Sequence, residues 1–353
     1  MTPSRHTVAL LTLAVPAAWM LAVLQADVTN LTDYSASIVR DYAHGTIGDQ
    51  WTDGVPPIIW KARVLVRGLI LALTAVAPGL DVETANLIVQ AGFVLAALVV
   101  IYRSTLKMAT PAGALFASAL AVVAVPWGFL SVGFRISYPY DLPAIFFSAA
   151  GLAAIFARRF DLLVAAVAIG TLNKETTVFL LPAYVLAEWG RGSGGSHGGE
   201  GRLLITRALI LAAAFAVAYE VPRLLLQSSQ PMLVTVHTAS GDAAGSRAWS
   251  NLRHVLQGEP GGFIQSVWWV ALLHAPALLY WTRLPRALKA AYLATPVFIV
   301  PLWFFGNIYE LRLYNELIPL GAIGCAAVLV GLPDAPLRVK SSAAPRHGTK
   351  HAH

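Results

Sequence analysis

The chain has 353 residues, of which 57% are hydrophobic and only 12% charged, and its mean hydropathy is +0.65. This balance excludes an ordinary soluble globular protein and predicts that lipid surrounds most of the chain. The formal net charge is +7, but Lys and Arg are scattered at the ends of apolar runs, which excludes a nucleic-acid-binding surface and indicates topology signals. The one cysteine, Cys325, lies in an apolar stretch and excludes a disulfide framework.

Apolar runs with the length of a membrane-spanning helix follow one another along the chain, about ten in all. The first run follows Arg5 and could also be a signal peptide, but Leu24 stands where a small residue is needed, which favours a span. The pattern predicts an all-α polytopic transmembrane helical bundle over residues 1–333. The runs lie near residues 7–26, 86–102, 111–131, 142–157, 161–173, 176–189, 207–225, 262–281, 290–306 and 315–332.

An eleventh apolar segment, at residues 60–78, decides the topology of everything after it. Lys61, Arg63 and Arg67 occupy its first half, so its uncharged part is shorter than the ~20 residues needed to cross a bilayer. If this segment does not cross, the N-terminus and the later basic clusters fall on one side, as the positive-inside rule requires. We therefore expect an interfacial helix at 60–78 on the outer leaflet and both termini in the cytoplasm.

The remaining segments are polar. The first outer loop, 27–82, is acidic at its start and contains the interfacial helix, and the second, 227–261, is rich in Gly, Ser and Ala. The glycine-rich segment 190–201 follows no strand, and we expect a flexible cytoplasmic linker there rather than a phosphate-binding loop. We expect the tail, 334–353, to be disordered in the cytoplasm.

Four groups of polar residues share the outer membrane face under this topology. A charged residue at membrane depth costs about 2.5 to 3.5 kcal/mol on insertion scales, so it indicates a function. A carboxylate beside Lys or Arg suits an anionic ligand that the cation holds while the carboxylate acts as acid or base. The groups are Asp33 and Asp41; Arg135, Tyr138, Tyr140 and Asp141; Asn173, Lys174 and Glu175; and Glu310, Arg312, Asn315 and Glu316.

Each group also has a structural interpretation that the sequence leaves open. Asp33 and Asp41 could be solvated acids of the loop, and Asp141 could cap a helix inside an aromatic belt. Residues 173–176 could form a polar turn, and residues 310–316 could form an ion-pair network between helices.

The layout resembles the GT-C superfamily of membrane glycosyltransferases. The resemblance rests on a first span that ends in an outer loop with an acid beside a tyrosine, Asp33 and Tyr34, followed by an interfacial helix. Paired spans with short outer turns come next. The stretch from Tyr140 to Leu186, YDLPAIFFSAAGLAAIFARRFDLLVAAVAIGTLNKETTVFLLPAYVL, is similar in cadence to the central spans of that superfamily, in which an outer-turn Lys often follows Thr or Asn.

The resemblance implies a polyprenyl-phosphate-linked sugar as donor and a catalytic acid in the first outer loop. Asp33, with Asp41 as a further catalytic candidate, would act as general base toward an acceptor hydroxyl. Lys174 and Arg312 would hold the lipid phosphate, with Arg135 or Lys61 assisting, and the other residues of the outer groups would bind substrate. The first loop has no adjacent pair of acids, which leaves open whether a divalent cation, Mg²⁺ or Mn²⁺, takes part.

The resemblance also implies where the protein acts and with what. The location would be the cytoplasmic (inner) membrane, with the active site on its extracytoplasmic face. The partners would be membrane lipids, the lipid-linked donor and a glycan, lipid or protein acceptor that the sequence leaves unspecified, with no nucleic acid.

Two other functions fit the same residues. A transporter or flippase of a lipid-linked or anionic small molecule would use buried ionisable groups as relays, and Glu220, followed by Pro222 and Arg223, is the nearest to such a group. A non-catalytic subunit of an envelope-assembly complex would require none of the four outer groups.

Overall fold

The computed structural model describes residues 5–30, 63–130, 138–192, 198–225, 244–257, 263–305 and 311–331, together with residues 40 and 43. Within these ranges the chain is almost entirely helical, and its only extended pairing is an isolated bridge between Ala109 and Gly331. The predicted all-α class is therefore confirmed.

The described residues form the following helices, in chain order. The α-helices are α1 (Arg5–Asn30), α2 (Val64–Val76), α3 (Val82–Thr105), α4 (Pro111–Leu130), α5 (Asp141–Ala157), α6 (Phe160–Asn173), α7 (Leu180–Gly192), α8 (Gly198–Leu225), α9 (Ala244–Gln257), α10 (Phe263–Leu279), α11 (Arg286–Phe305) and α12 (Ile318–Leu329). Three 3₁₀ helices, Glu175–Phe179, Trp281–Arg283 and Leu311–Leu317, precede α7, α11 and α12.

A helix stands at each apolar run that the sequence analysis expects to span. By length and hydropathy, two helices of the described part are able to cross a bilayer, namely α3 and residues Gly201–Leu225 of α8. Other apolar helices are shorter, between 10 and 17 residues. The helical architecture is thus shown, while the number of spans stays a prediction.

Local signals explain where some helices begin and end. Asp81 caps α3, because its carboxylate accepts hydrogen bonds from the backbone N–H of Thr84 at 2.7 Å and from its hydroxyl at 2.9 Å. These bonds to Thr84 lower the pKa of the Asp81 carboxyl. At the other end of the bundle, α5 stops at Arg158, which adopts the left-handed conformation with φ 57° and turns the chain into α6.

In the core, α3 packs against α1, α4 and α5, and α12 packs against α4. Helix α7 packs mainly against α11. The buried side chains of the core are rich in alanine, which allows helices to approach closely in the way typical of membrane bundles. Gly170 of α6 is one such position, because a Cβ atom there would lie 2.6 Å from Thr177 Cγ2 and 3.0 Å from Phe147 Cβ. The outer turn after α6 is thereby held close to α5.

Helix α2 lies where the sequence analysis expects the interfacial helix at 60–78, and it extends over Val64–Val76. It packs against α3 and α6. A separate apolar cluster forms at this contact, which we call the α2 cluster; its members are Ala43, Val66, Ile70, Ala85, Val89, Tyr138 and Tyr140. Residues 60–62 lie outside the described part of the chain.

Two segments that were expected to be irregular contain helix. Helix α9 occupies Ala244–Gln257 within the predicted loop 227–261 and packs against α11, where Asn251 Nδ2 donates to Trp303 O at 2.7 Å. The polar composition of this loop concealed an amphipathic helix. Helix α7 extends to Gly192 and α8 starts at Gly198, so most of the linker expected at 190–201 belongs to helix ends.

Candidate functional site

Three charged side chains from separate parts of the sequence meet inside the bundle. Lys174 Nζ lies 2.7 Å from Glu316 Oε1 and 3.5 Å from Asp141 Oδ1. The side chains are buried, with exposed fractions of 3% for Lys174, 2% for Glu316 and 0% for Asp141. We call these three residues the ion cluster. The structure thus brings together members of the second, third and fourth predicted groups.

Helix ends hold the ion cluster in place. Asp141 is the first residue of α5, and its Oδ2 accepts a hydrogen bond from Tyr138 N at 3.1 Å. Lys174 has extended backbone, with φ −160° and ψ 133°, between α6 and the 3₁₀ helix Glu175–Phe179. The backbone carbonyl of Glu316 accepts from Ser148 Oγ of α5 at 2.6 Å. Each charge is therefore fixed by its backbone, which limits rearrangement.

The ion cluster is unbalanced when its members are ionised, because one ammonium faces two carboxylates. Removing such charges from water costs several kcal/mol per ion, which ion pairing recovers only with good geometry. Close pairing geometry is therefore required for these charges to be buried together.

A second ion pair lies beside the cluster and joins Glu175, a predicted site residue, to Arg63, which was not among the predicted site residues. Arg63 donates to Glu175 through Nε at 3.1 Å and Nη2 at 2.5 Å, a bidentate arrangement, and its guanidinium lies 4.1 Å from the ring centroid of Tyr140. Tyr140 in turn stacks on Tyr138 with 5.2 Å between centroids. The carboxylate of Glu175 and the aromatic face of Tyr140 stabilise the buried Arg63 side chain inside the protein.

Electrostatics keep this second pair charged. Burial opposes ionisation of Glu175, but the charge and hydrogen bonds of Arg63 outweigh it, and the pKa of the Glu175 carboxyl falls below its ordinary value. Burial likewise disfavours the Arg63 cation, yet Glu175, Tyr140 and Asp141 together raise the pKa of its guanidinium. The pair is therefore ionised at neutral pH.

Unsatisfied polar atoms surround these charges. Both amide atoms of Asn315, Asn173 Oδ1, Thr176 Oγ1 and Gln90 Oε1 are buried and have no hydrogen-bond partner among the described residues. The remaining amide groups are used to fix the backbone, since Asn173 Nδ2 donates to Tyr140 O at 3.0 Å and Gln90 Nε2 to Pro139 O at 2.5 Å. Buried polar groups normally have partners, so this concentration distinguishes the region around the two ion pairs from the rest of the core.

The part of the first outer loop that precedes α2 contacts this region through Ala43. Ala43 is fully buried in the α2 cluster together with Tyr138 and Tyr140, and its carbonyl accepts from Arg67 Nε at 3.0 Å. Because Tyr140 directly precedes Asp141, this contact brings the loop chain to the edge of the ion cluster.

Several predicted site residues lie outside the description. Nothing is described for Asp33, Asp41, Lys61, Arg135 and Glu310. Arg312 belongs to the 3₁₀ helix Leu311–Leu317, but only its backbone is described. Among the described residues, no group of three or more His, Cys, Asp and Glu could hold a metal ion.

Sequence reasoning missed three residues that shape the site. Arg63 was read as a surface cation, although its position just before a helix that carries few other charges could have indicated a buried partner. Gln90 and Ser148 are polar residues within apolar runs, and such residues usually have a hydrogen-bonding role inside a bundle.

Comparison of the chain with protein-family models, with curated proteins and with solved structures finds no match. The function must therefore be inferred from the site itself.

Proposed function

We propose that the protein is an integral membrane glycosyltransferase of about ten spans that transfers a sugar from a polyprenyl-phosphate donor on the extracytoplasmic face. The proposal that the protein is embedded in a membrane rests on the exposed apolar side chains of α8. The most apolar 18-residue window within Gly201–Leu225 has a mean hydropathy of 1.8, yet only 11% of this window is buried. Leu209 and Val217 are 65% and 60% exposed, a surface that a soluble protein does not maintain.

Helix length supports a site that is sunk below the membrane surface. Helices α5 and α6 have 17 and 14 residues, respectively. At a rise of 1.5 Å per residue they are ~26 and ~21 Å long, less than the ~30 Å hydrocarbon core. If their connecting turn at Arg158 lies at the cytoplasmic interface, Asp141 and Lys174 lie several ångströms inside the outer leaflet. A lipid-linked donor could approach such a site laterally.

The observation that carries the proposal is the buried ion cluster, surrounded by unsatisfied amides and joined to the first outer loop through Ala43. In the proposed reaction, the Asp33 carboxylate accepts the proton of the acceptor hydroxyl. The acceptor oxygen then bonds to the anomeric carbon, the bond from that carbon to the phosphate oxygen breaks, and polyprenyl phosphate leaves with the electron pair.

The geometry changes the role proposed for Lys174. Its ammonium is buried and paired with two carboxylates, so it is a positioning residue that fixes the ends of α5 and α12. Direct contact with the lipid phosphate is assigned to Arg312, which belongs to the same 3₁₀ helix as Glu316. Electrostatic stabilisation of a leaving phosphate is usually the largest contribution to such catalysis.

The experiment is a transfer assay on purified protein with a panel of polyprenyl-phosphate sugars, comparing wild type with Asp33→Asn. We expect transfer from at least one donor and its loss in the variant, with unchanged expression and membrane insertion. Arg40→Gln is a matched control, since Arg40 is an exposed residue of the same loop. An Asp33→Asn protein with wild-type transfer would remove Asp33 from catalysis.

A second function, proton-coupled transport, is favoured by one observation. A buried Lys between two carboxylates is an arrangement typical of proton relays in membrane proteins. Proteoliposome uptake that requires a proton gradient and is lost in Glu316→Gln, without any sugar transfer, would establish transport instead.

A further inference from the structure

The opposite end of the bundle contains a small basic pocket that the proposed reaction does not use. It has a volume of about 180 Å³ and lies where α5, α6, α7 and α8 meet. Its charged and polar lining consists of Arg158, Arg159, Tyr184, Glu188 and Arg207. We call it the arginine pocket.

Both acids at the arginine pocket are already paired. Asp161, next to the pocket, accepts two hydrogen bonds from Arg159, at 3.0 and 2.7 Å. Glu188 is paired with Arg191, which also donates to the backbone carbonyl of Ile155 at 3.2 Å. The acids therefore neutralise Arg159 and Arg191 and leave the other two arginines uncompensated.

Arg158 and Arg207 form no ion pair with any residue that the structure describes. The Arg207 guanidinium lies 5.2 Å from the ring centroid of Phe160, which orients it without neutralising it. Arg158 occupies the left-handed position at the end of α5, with φ 57°, where Gly or Asn is the usual residue. The chain thus keeps a guanidinium at a turn whose backbone favours other residues.

A buried hydroxyl adds a directional group. Tyr184 is 4% exposed, and its hydroxyl lies beside Arg207 without a well-aligned hydrogen bond to any described residue. Two uncompensated guanidiniums and a hydroxyl around a cavity of this size form a donor set suited to a phosphate group.

A separate apolar groove lies further along α6 and α8, beyond the residues of these helices that line the arginine pocket. It has a volume of about 480 Å³ and is lined by α6 and α8, including Ala214, Ala218 and Val221. These three residues follow Arg207 at spacings of 7, 11 and 14, so they lie on the same face of α8 as Arg207. At 1.5 Å per residue, Ala214 is ~10 Å further into the membrane than Arg207. A head group and an acyl chain of one lipid would meet these features in the same order.

The geometry points to a binding site for an anionic phospholipid of the cytoplasmic leaflet, with its phosphate in the arginine pocket and an acyl chain in the groove between α6 and α8. Basic pockets between helices on the cytoplasmic side are a recognised way to hold such head groups. The site depends on the proposed membrane orientation but not on glycosyl transfer. Its lipid would hold the ends of α5 and α8 together.

The test is lipid binding by native mass spectrometry on the full chain in mild detergent. Wild type is titrated with dioleoylphosphatidylglycerol, with dioleoylphosphatidylcholine and with inorganic phosphate. We expect the phosphatidylglycerol to bind about tenfold more tightly than the phosphatidylcholine. The choline cation of the zwitterionic phosphatidylcholine head group offsets the attraction between its phosphate and the two guanidiniums. We expect millimolar phosphate to leave bound phosphatidylglycerol in place.

Variants assign the site. Arg207→Gln and Arg158→Asn should each remove most of the preference for phosphatidylglycerol, and Arg158→Asn is compatible with the left-handed backbone, so it preserves the fold. Ala214→Phe should weaken both lipids by filling the groove. Arg202→Gln, an exposed arginine of α8 outside the pocket, is the matched control and should bind like wild type. Equal binding of both lipids to wild type, displacement by phosphate, or an unchanged preference in both pocket variants would overturn the assignment.

Discussion

Lys174 Nζ contacts Glu316 Oε1 at 2.7 Å and thereby joins the turn after α6 to the segment that enters α12. The two residues come from opposite halves of the chain, so the contact closes the bundle between its central and last helices. Asp141 at 3.5 Å extends the connection to α5. The ends of three helices therefore depend on one buried ammonium.

Lys174→Met should destabilise the fold strongly. The substitution leaves Asp141 and Glu316 buried beside each other with no cation, and breaking a buried pair in this way costs about 3–5 kcal/mol. A lower thermal unfolding temperature of the detergent-solubilised protein is the measurement. Lys107→Met is the control, because Lys107 is exposed in the turn after α3 and should show little change.

Removing both charges separates stability from function. Lys174→Met with Glu316→Met should recover part of the lost stability, because an apolar pair of similar volume replaces the shorter ion pair while the Asp141 carboxylate stays buried without Lys174. We expect the double variant to fold but to lose the proposed activity, since the end of α12 is no longer fixed by charge. Full activity in a stable double variant would show that the ion cluster serves folding alone.

The Arg63–Glu175 pair should make stability depend on pH in the acidic range. Because the pKa of Glu175 is lower in the folded protein than in the unfolded chain, the pair stabilises the fold fully above the ordinary carboxyl pKa of ~4.3. That contribution is lost as pH falls through the lowered pKa. Glu175→Gln should cost about 3 kcal/mol at neutral pH and less in acid.

The measurement is the difference in unfolding temperature between wild type and Glu175→Gln at a series of pH values. Taking the difference removes the titration of other carboxylates, which both proteins share. A gap that stays constant down to the lowest pH at which the protein folds would contradict a charged Glu175.

The sequence predicted the helices well because apolar runs of helical length leave few alternatives, and the expected clusters at Asp141, Lys174 and Glu316 do meet in the structure. What it could not predict was the partner of each charge. Arg63 pairs with Glu175 across more than a hundred residues of sequence, and such a contact depends on how α2 folds back onto α6. Helix α9 was not predicted because the residues of its polar face have the composition of a loop.

Membrane orientation can be tested by labelling engineered cysteines from outside the cell. Position 174 is a poor choice because it is buried, whereas Gly79, in the turn between α2 and α3, has open space around a new side chain. In a Cys325→Ala background, Gly79→Cys should react with a membrane-impermeant maleimide in intact cells. Lys107→Cys, at the other end of α3, should react only after permeabilisation.

The opposite pattern at these two positions would place the ion cluster on the cytoplasmic side. The proposed extracytoplasmic reaction and the proposed lipid site would then both be wrong. Reaction of both positions in intact cells would mean that α3 does not cross the membrane.

Close packing at the outer turn should make Gly170 intolerant of a methyl group. A Cβ atom there would lie 2.6 Å from Thr177 Cγ2 and 3.0 Å from Phe147, so α6 must move away from α5 and from the turn that carries Lys174. Overpacking of this kind costs about 1–3 kcal/mol.

The matched substitution is Gly92→Ala in α3, where no atom lies within 4 Å of the new Cβ. There the gain in helix propensity, about 1 kcal/mol, should stabilise the protein. Thermal unfolding of both variants measures the opposite signs, and a stabilised Gly170→Ala protein would show that α5 and α6 are further apart than described.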